Sequence, residues 1–369
     1  DESRQEAWAV VNGFARGDKD RLLDAAREMM RHGEKALPWV GAAARIDEAS
    51  RALRQIEGQL YCGLPLSVPV KLPIHLNGYF DLDSSRQKLT VDTGGGDVAA
   101  ALQARVQWNE ALIEHGASWA WSRLLRGLAD EYPESMYGAW PDPTVLDTAL
   151  LHRLASAVYR TTARWTLIRV RRGDSLSSIA PQDLKLPPHK WRTELFDPLT
   201  ADGLPLPEPA LPPYVEQGYQ GVLGVFTPAV LRDRLRVDTD LSVELTSASR
   251  PCLRRRDWVE SLLRYCLSDE KNDLARLPLA ILCDGKLHAF GFQTLLIATA
   301  DEREIFKKFA HWFVEPDFQR VTELVPIQGS KLVRMRPELV VANLERVLST
   351  TGPRDWPSSE TELPNKPWL

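Results

Sequence analysis

Three hundred and sixty-nine residues, at roughly 150 per domain, make about two domains. Hydrophobic residues are 44% and charged residues 26%, the composition of a chain that buries a core without disulfides or metals. Lys plus Arg is 46 and Asp plus Glu is 50, a net of −4, which excludes nucleic-acid binding by bulk charge, and no run approaches the ~18 apolar residues of a membrane span.

The four cysteines, Cys62, Cys252, Cys266 and Cys283, have neither paired nor zinc-type spacing, which suits a reducing compartment. The chain opens on Asp1 and its acidic first residues are unlike a signal peptide, so the expectation is a cytoplasmic segment of a longer protein.

In chain order, Glu6 to Phe14 reads as a strand and Arg21 to Arg31 as an amphipathic helix, with Leu22, Leu23, Ala26 and Met29 at helical spacing. Leu37 to Ile46, Gln59 to Leu64 and Ile74 to Leu82 read as further strands, the last leading into the polar turn Asp83 to Lys88. From Val98 the period becomes helical: Leu102, Val106, Asn109 and Ile113 share a face, and the pattern resumes through Trp121, Leu124, Leu125 and Leu128. Gly116, between the two halves, is a possible break.

The Trp140-Pro-Asp-Pro143 segment marks a boundary, and Pro143 is placed to begin a helix running to about Arg164. A strand follows at Trp165 to Arg171. Eight of the 26 prolines lie between Pro187 and Pro213, which predicts a loop or linker there. Thr227-Pro228 opens a short helix, Arg255 to Cys266 forms another, and Asp284-Gly285 between apolar runs marks a hairpin. Ile305 to Phe313 and Arg336 to Leu348 read as the last helices. The final eighteen residues carry four prolines and little apolar pattern, and the expectation for 351–369 is a disordered tail.

Enzyme signatures are sparse. Asp92-Thr-Gly-Gly-Gly96 fits the D-x-G-x-G adenine box of GHKL-type ATPases, but that chemistry needs an upstream helix whose Asn and Glu hold magnesium and the attacking water. Ile46 to Gln59 has no Asn, so the string reads as a glycine-rich loop. Phosphate-loop, H-E-x-x-H and G-x-S-x-G patterns are missing, and no metal site is expected. His75 beside Asn77 reads as a strand histidine rather than a ligand or base, and Glu110 with Glu114 as a solvated helix face. Arg254-Arg-Arg256 reads as a solvated helix start.

The sharpest local feature is Pro73 to Arg86, a strand carrying Asn-Gly into an acidic, serine-rich turn that ends in one arginine. A guanidinium at such a junction stays charged and offers forked donors suited to the phosphate oxygens of a nucleotide held elsewhere. The plainer alternative is an ion pair of Arg86 with Asp81 or Asp83.

Gly58-Gln-Leu-Tyr-Cys-Gly-Leu-Pro-Leu66, Leu72-Pro-Ile-His-Leu-Asn-Gly-Tyr-Phe80 and Leu82-Asp-Ser-Ser-Arg86 together resemble the repeats of the sacsin family. Leu37-Pro-Trp-Val-Gly-Ala42, Trp108-Asn109-Glu110 with Leu124-Leu125, and Leu262-Leu-Arg-Tyr-Cys-Leu-Ser-Asp269 followed by Leu277-Pro-Leu279 match in the same order, over roughly residues 6 to 320. The resemblance implies an α+β chain: a transducer-like mixed β-sheet with helices, of the ribosomal-protein-like βαβ kind, over 1–135. A second α+β interaction domain over 136–350, containing the Pro-rich loop 187–213, would follow.

The resemblance further implies a non-catalytic regulatory or scaffold part of an ATP-linked, heat-shock-chaperone-like machine. Its nucleotide would be held by an N-terminal GHKL-type ATPase domain, with ATP and magnesium bound there only. Arg86 would be the phosphate-contacting residue, with Lys88 in possible support and Asn77 and Ser84 shaping the nucleotide-facing loop. Family repeats often place a second basic residue directly after the arginine, where this chain has Gln87 before Lys88. The partners implied are the ATPase domain and client proteins or co-chaperones, with neither nucleic acid nor membrane. Two alternatives stay open: a nucleotide-independent protein-interaction module, and a part of a microbial defence ATPase, which the Ala/Arg/Leu-rich composition would suit.

Overall fold

Alternation of side chains along β1 (Ala7–Phe14) and β2 (Trp39–Asp47) builds the first sheet. In the computed structural model these strands pair antiparallel from Ala7 opposite Ile46 to Phe14 opposite Trp39, with helix α1 (Lys19–Arg31) between them in sequence. The described residues are 6–15, 19–47, 49–67, 70–90, 99–239, 241–271, 273–316 and 329–350. The glycine-rich string at 92–96 and the tail 351–369 lie outside them.

The sheet continues through β6 (His75–Gly78) to β4 (Leu60–Cys62) and β5 (Leu64–Pro65), and β3 (Ala52–Leu53) pairs with β2. β4 runs parallel to β6 while the other pairs are antiparallel, so the sheet is mixed. Val40, Ala42, Ala44 and Ile46 of β2 and Leu76 of β6 are buried on the face covered by helices. The opposite face carries Trp8, Val10, Asn12, Ala43, Tyr61, His75 and Asn77.

The covering helices are α2 (Ala100–Ala111) and α3 (Ser118–Glu131), joined through a π-helical turn, Leu112–Ala117. The helical run therefore passes through Gly116 instead of breaking there. A Cβ on Gly116 would come within 3.1 Å of Val40 Cγ1 and 3.0 Å of Leu112 Cδ1, so glycine at this point lets the helix approach β2 closely. Gly58 is tighter still: its Cβ would lie 2.0 Å from the Ile74 carbonyl oxygen and 2.5 Å from that of Leu72.

The helix expected from Pro143 starts later, as α4 (Ala149–Thr162). Asp142 holds the intervening chain in a local turn by accepting from the Thr144 amide (2.9 Å) and hydroxyl (2.7 Å), and Thr148 caps the helix by accepting from Leu151 N–H. Trp140, Tyr159 and Tyr219 then pack as a buried aromatic cluster, with the Tyr159 hydroxyl donating to the Pro141 carbonyl at 2.6 Å.

Two compact units emerge. One is made of residues up to Leu186 with Leu199–Val225, the other of Pro187–Pro198 with residues from Phe226 onward. The boundary expected near 135 thus falls inside the first unit, because the chain after α3 continues to pack on it through α4. The stretch 187–213 is not loop throughout: it contains helix α5 (Arg192–Ala201), which accommodates Pro198 internally. The first unit also holds β7 (Ile168–Arg172), β8 (Ser175–Ile179), β9 (Lys185–Leu186), β10 (Leu206–Pro207), α6 (Pro213–Gly218) and β11 (Gly224–Val225).

The second unit contains α7 (Pro228–Leu235), capped by Thr227, then β12 (Ser242–Glu244) and α8 (Arg256–Cys266). The hairpin β13 (Ala280–Ile281) and β14 (Lys286–His288) turns at Gly285, whose φ is 80°. β15 (Leu295–Ile297), α9 (Ala300–Ile305), β16 (Leu332–Arg334) and α10 (Pro337–Thr350) complete it. The helix expected over Ile305–Phe313 is instead the end of α9 followed by a 3-10 turn, Lys307–Trp312. Arg232, 2% exposed, donates to both carboxylate oxygens of Asp269 (2.8 and 2.6 Å) and to the Cys266 carbonyl. The fold class is α+β, as expected from the sequence.

Gly58→Ala is expected to lower stability by about 3 kcal/mol, because two backbone oxygens of a paired segment must move away from the added methyl. Urea denaturation of the purified variant beside the parent chain measures it; a change near zero would show that the backbone yields freely.

Candidate functional site

The turn that carries Arg86 is built by Asp83. Its carboxylate accepts from the Ser85 hydroxyl with both oxygens (2.8 Å each) and from the amides of Gln87 (3.2 Å) and Lys88 (3.4 Å). The Arg86 amide donates to the Asp83 carbonyl (2.9 Å), the Asp83 amide to the Lys88 carbonyl (3.0 Å), and Leu82 bridges Leu89 in antiparallel fashion. The Ser85 hydrogen bond, with help from the two amides and the Lys88 charge, holds the Asp83 carboxyl below its ordinary value, so it is ionised at neutral pH.

Arg86 sits at the exposed tip with φ of 57°, in the left-handed region that glycine fills at this place in a short hairpin. A side chain there costs about 1–2 kcal/mol of backbone energy.

Helix α2 fixes the base of this turn. Asn109, 1% exposed, lies on the apolar stripe of the helix with its amide fully used. Its Oδ1 accepts from the Asp81 amide (2.8 Å), and its Nδ2 donates to the carbonyls of Asp81 (2.8 Å) and Thr90 (3.0 Å). One side chain thereby holds both arms of the hairpin. One turn earlier, Arg105 donates Nε to Asp81 Oδ1 (2.7 Å) and Nη2 to the Leu82 carbonyl (2.9 Å). Thr90 Oγ1 donates to the same Asp81 oxygen (2.6 Å), and Trp108 Nε1 donates to the Tyr79 carbonyl (3.0 Å).

These bonds occupy both candidate ion-pair partners of Arg86. Asp81 is engaged by Arg105 and Thr90, and Asp83 by the turn itself, so neither is paired with Arg86. The side chains of Ser84, Arg86 and Lys88 are exposed and make no hydrogen bond or ion pair with a described residue. The structure thus brings Ser84, Arg86 and Lys88 together on one turn.

Asn77 is placed apart from them. It lies on the helix-free face of the sheet, where its Oδ1 accepts from the Gly63 amide (3.3 Å). His75 is on that face too, stacked on Trp8 (5.2 Å between centroids) and edge-on to Tyr61 (5.3 Å), with Nδ1 accepting from the Gln59 amide (3.0 Å). Burial pushes its pKa below the ordinary histidine value, and the Gln59 bond needs Nδ1 unprotonated. His75 is a structural residue of the sheet.

The remaining sequence candidates also find local partners. Glu110 pairs with Arg153 (2.5 Å) and Glu114 lies 3.7 Å from Arg160, so the face read as solvated bridges to α4. In the second unit Arg254 donates to the Ala248 carbonyl, Arg255 pairs with Asp257 over the Trp258 ring, and Arg256 pairs with Glu315. None of the four cysteines forms a disulfide; burial raises the thiols of Cys62 and Cys283 and pushes that of Cys266 up to about 12, which keeps those three protonated. The clamp of Arg105, Trp108 and Asn109 escaped the sequence reading, although a polar Asn on an otherwise apolar helix stripe was its signal.

Human sacsin is 36% identical to the chain over 92 residues, a stretch amounting to 25% of this chain and 2% of sacsin's own length. The chain contains a sacsin-like region. No protein-family model matches the chain, and no solved structure matches it. Among the described residues no helix is long and apolar enough to cross a membrane.

Two outcomes are expected. Asn109→Ala should cost about 3 kcal/mol, because it strands the Asp81 amide and two carbonyls in a buried place, and Asn109→Asp should do no better, since a carboxylate cannot donate to those carbonyls. Chemical denaturation of both variants checks this, and a loss under about 1 kcal/mol would show that the clamp is dispensable. His75 binds its proton more weakly folded than unfolded, so its contribution is complete above the unfolded pKa and shrinks as pH falls through the window below it. The thermal midpoint should accordingly drop between about pH 7.5 and 5.5, less so in His75→Gln, and an identical slope in the two proteins would sink the assignment.

Proposed function

We propose that the chain is a non-hydrolysing regulatory part of a sacsin-like, ATP-linked cytoplasmic chaperone, and that its hairpin presents Arg86 to nucleotide phosphates. The nucleotide, with its magnesium, would sit on a GHKL-type ATPase domain outside this sequence, and the partners served would be client proteins or co-chaperones. The observation that carries the reading is the combination at residue 86: a guanidinium without a described partner, at a left-handed tip, on a turn clamped to a helix by a buried asparagine. An ordinary surface arginine needs neither the costly backbone nor the rigid base.

Chemically, such an arginine acts by electrostatics. Negative charge shifts among phosphoryl oxygens as the terminal phosphate leaves, and a positioned guanidinium stabilises that distribution more than the ground state. Its forked N–H donors match paired phosphate oxygens. Lys88, on the same turn, adds positive charge, and Ser84 lies beside Arg86 at the tip. Asn77 takes no part in this contact; its hydrogen bond to Gly63 belongs to the sheet.

A second reading, a protein-interaction module indifferent to nucleotide, draws on a different observation. The helix-free face of the sheet exposes Val10 (56%) and Phe14 (60%) beside Trp8 and Tyr61.

ATP turnover by the full gene product separates the two. Arg86→Ala is expected to lower kcat on the order of 10²-fold or more while changing nucleotide affinity less than about twofold. Arg86→Gly should do the same and leave the fold at least as stable, because it removes the left-handed side chain. Turnover unchanged by Arg86→Ala would eliminate the phosphate role, and a wild-type product that binds its partners equally with and without ATP would favour the interaction module.

A further inference from the structure

The π-helical turn between α2 and α3 does more than bring the helices close to the sheet. Together with α1, α3, α4 and Trp165 it lines a cavity of about 650 Å3, inside the range of small-molecule sites. Arg21 enters from α1, Arg123 from α3 and Arg160 from α4; among the described residues of the lining, Glu114 is the one carboxylate. Three positive charges against one negative leave a surplus of two.

Glu114, paired with Arg160 at 3.7 Å, offsets one of these charges, while Arg21 and Arg123 make no ion pair or hydrogen bond with a described residue. Arginines from three separate helices border one concavity, and their surplus positive charge favours a bound anion there. The walls favour the same conclusion. The indoles of Trp119 and Trp165 line the cavity, while buried His115 and Ser118 lie at the π-turn, where the Ser118 hydroxyl donates to the Glu114 carbonyl. π-turns recur at functional sites because the extra residue redirects side chains that a regular helix would place elsewhere.

We propose that this cavity binds a small, multiply charged phosphate anion, gripped by Arg21, Arg123 and Arg160. Arginine suits that ligand because its fork donates two parallel hydrogen bonds to phosphate oxygens. The site shares no residue with the Arg86 turn and does not depend on the function proposed for it. Two sources of the same chemistry fit, a free polyphosphate and the headgroup of a phosphorylated lipid.

Calorimetric titration of the full chain with inorganic tripolyphosphate is expected to give saturable binding that weakens as salt rises. Arg21→Gln, Arg123→Gln and Arg160→Gln should each weaken it about tenfold, the loss of one charge-assisted hydrogen bond, and the triple variant should abolish it. The paired variant Arg27→Gln/Arg31→Gln, on α1 but outside the cavity, should bind like the parent chain. Unchanged thermal midpoints establish that the exposed substitutions leave the fold intact. A parallel arm offers phosphatidylcholine vesicles with and without phosphoinositide. Capture by the phosphoinositide vesicles, competed by tripolyphosphate, assigns the headgroup as the source; tripolyphosphate binding without capture assigns a free anion. Failure to bind either probe, or equal binding by the triple variant, overturns the proposal.

Discussion

Everything proposed for the Arg86 hairpin depends on one buried amide. Asn109 satisfies the main chain of Asp81 and Thr90 at once, so the two arms of the hairpin are held to α2 and through it to the sheet. Asn109 and Thr90 are buried, so breaking their bond leaves polar groups without partners. Arg105 and Trp108 repeat the same act one turn and one residue away, on Asp81, Leu82 and Tyr79. A short polar turn that would otherwise be among the loosest parts of a protein becomes a fixed mount for one guanidinium.

The helix that supplies this clamp is itself held by small residues. Alanines at 42 and 44 of β2 and Gly116 in the π-turn let the backbone come close, and the π-turn absorbs the register change. The widened turn has two consequences in opposite directions. Toward α2, Trp108 and Asn109 keep facing the hairpin. Toward α3 and α4, His115 and Ser118 line the arginine-rich cavity. A single helical irregularity therefore separates two positively charged features that use arginine differently, one as a lone exposed probe and the other as a convergent trio.

The second unit pairs several of its arginines within itself. Arg232 is nearly fully buried and is matched by both oxygens of Asp269, and the Arg254–Arg256 run is spent on Ala248, Asp257 and Glu315. Buried pairs of this kind hold geometry more than they add stability, since desolvation offsets much of their attraction.

Periodicity alone placed β1, α1, β2, α7, α8 and the hairpin at Gly285, because those segments combine an alternating or helical apolar pattern with Thr-Pro or Asp-Gly punctuation. Short motifs in a fixed order carried the resemblance to sacsin-type repeats, and periodicity also marked the 73–86 stretch with the arginine at its end. It misplaced the start of α4, where the side chains of Asp142 and Thr148 outcompete the proline, and it read a loop across α5, where helix-forming neighbours override Pro198. The partners of individual side chains are what only the tertiary structure decided. Asp81 and Asp83 stand within five residues of Arg86, and spacing offers both as ion-pair partners. The fold hands one to Arg105, twenty-four residues away, and the other to its own turn. The cavity of Arg21, Arg123 and Arg160 is invisible to any local pattern, since three helices must pack before residues so far apart in the chain can face one another.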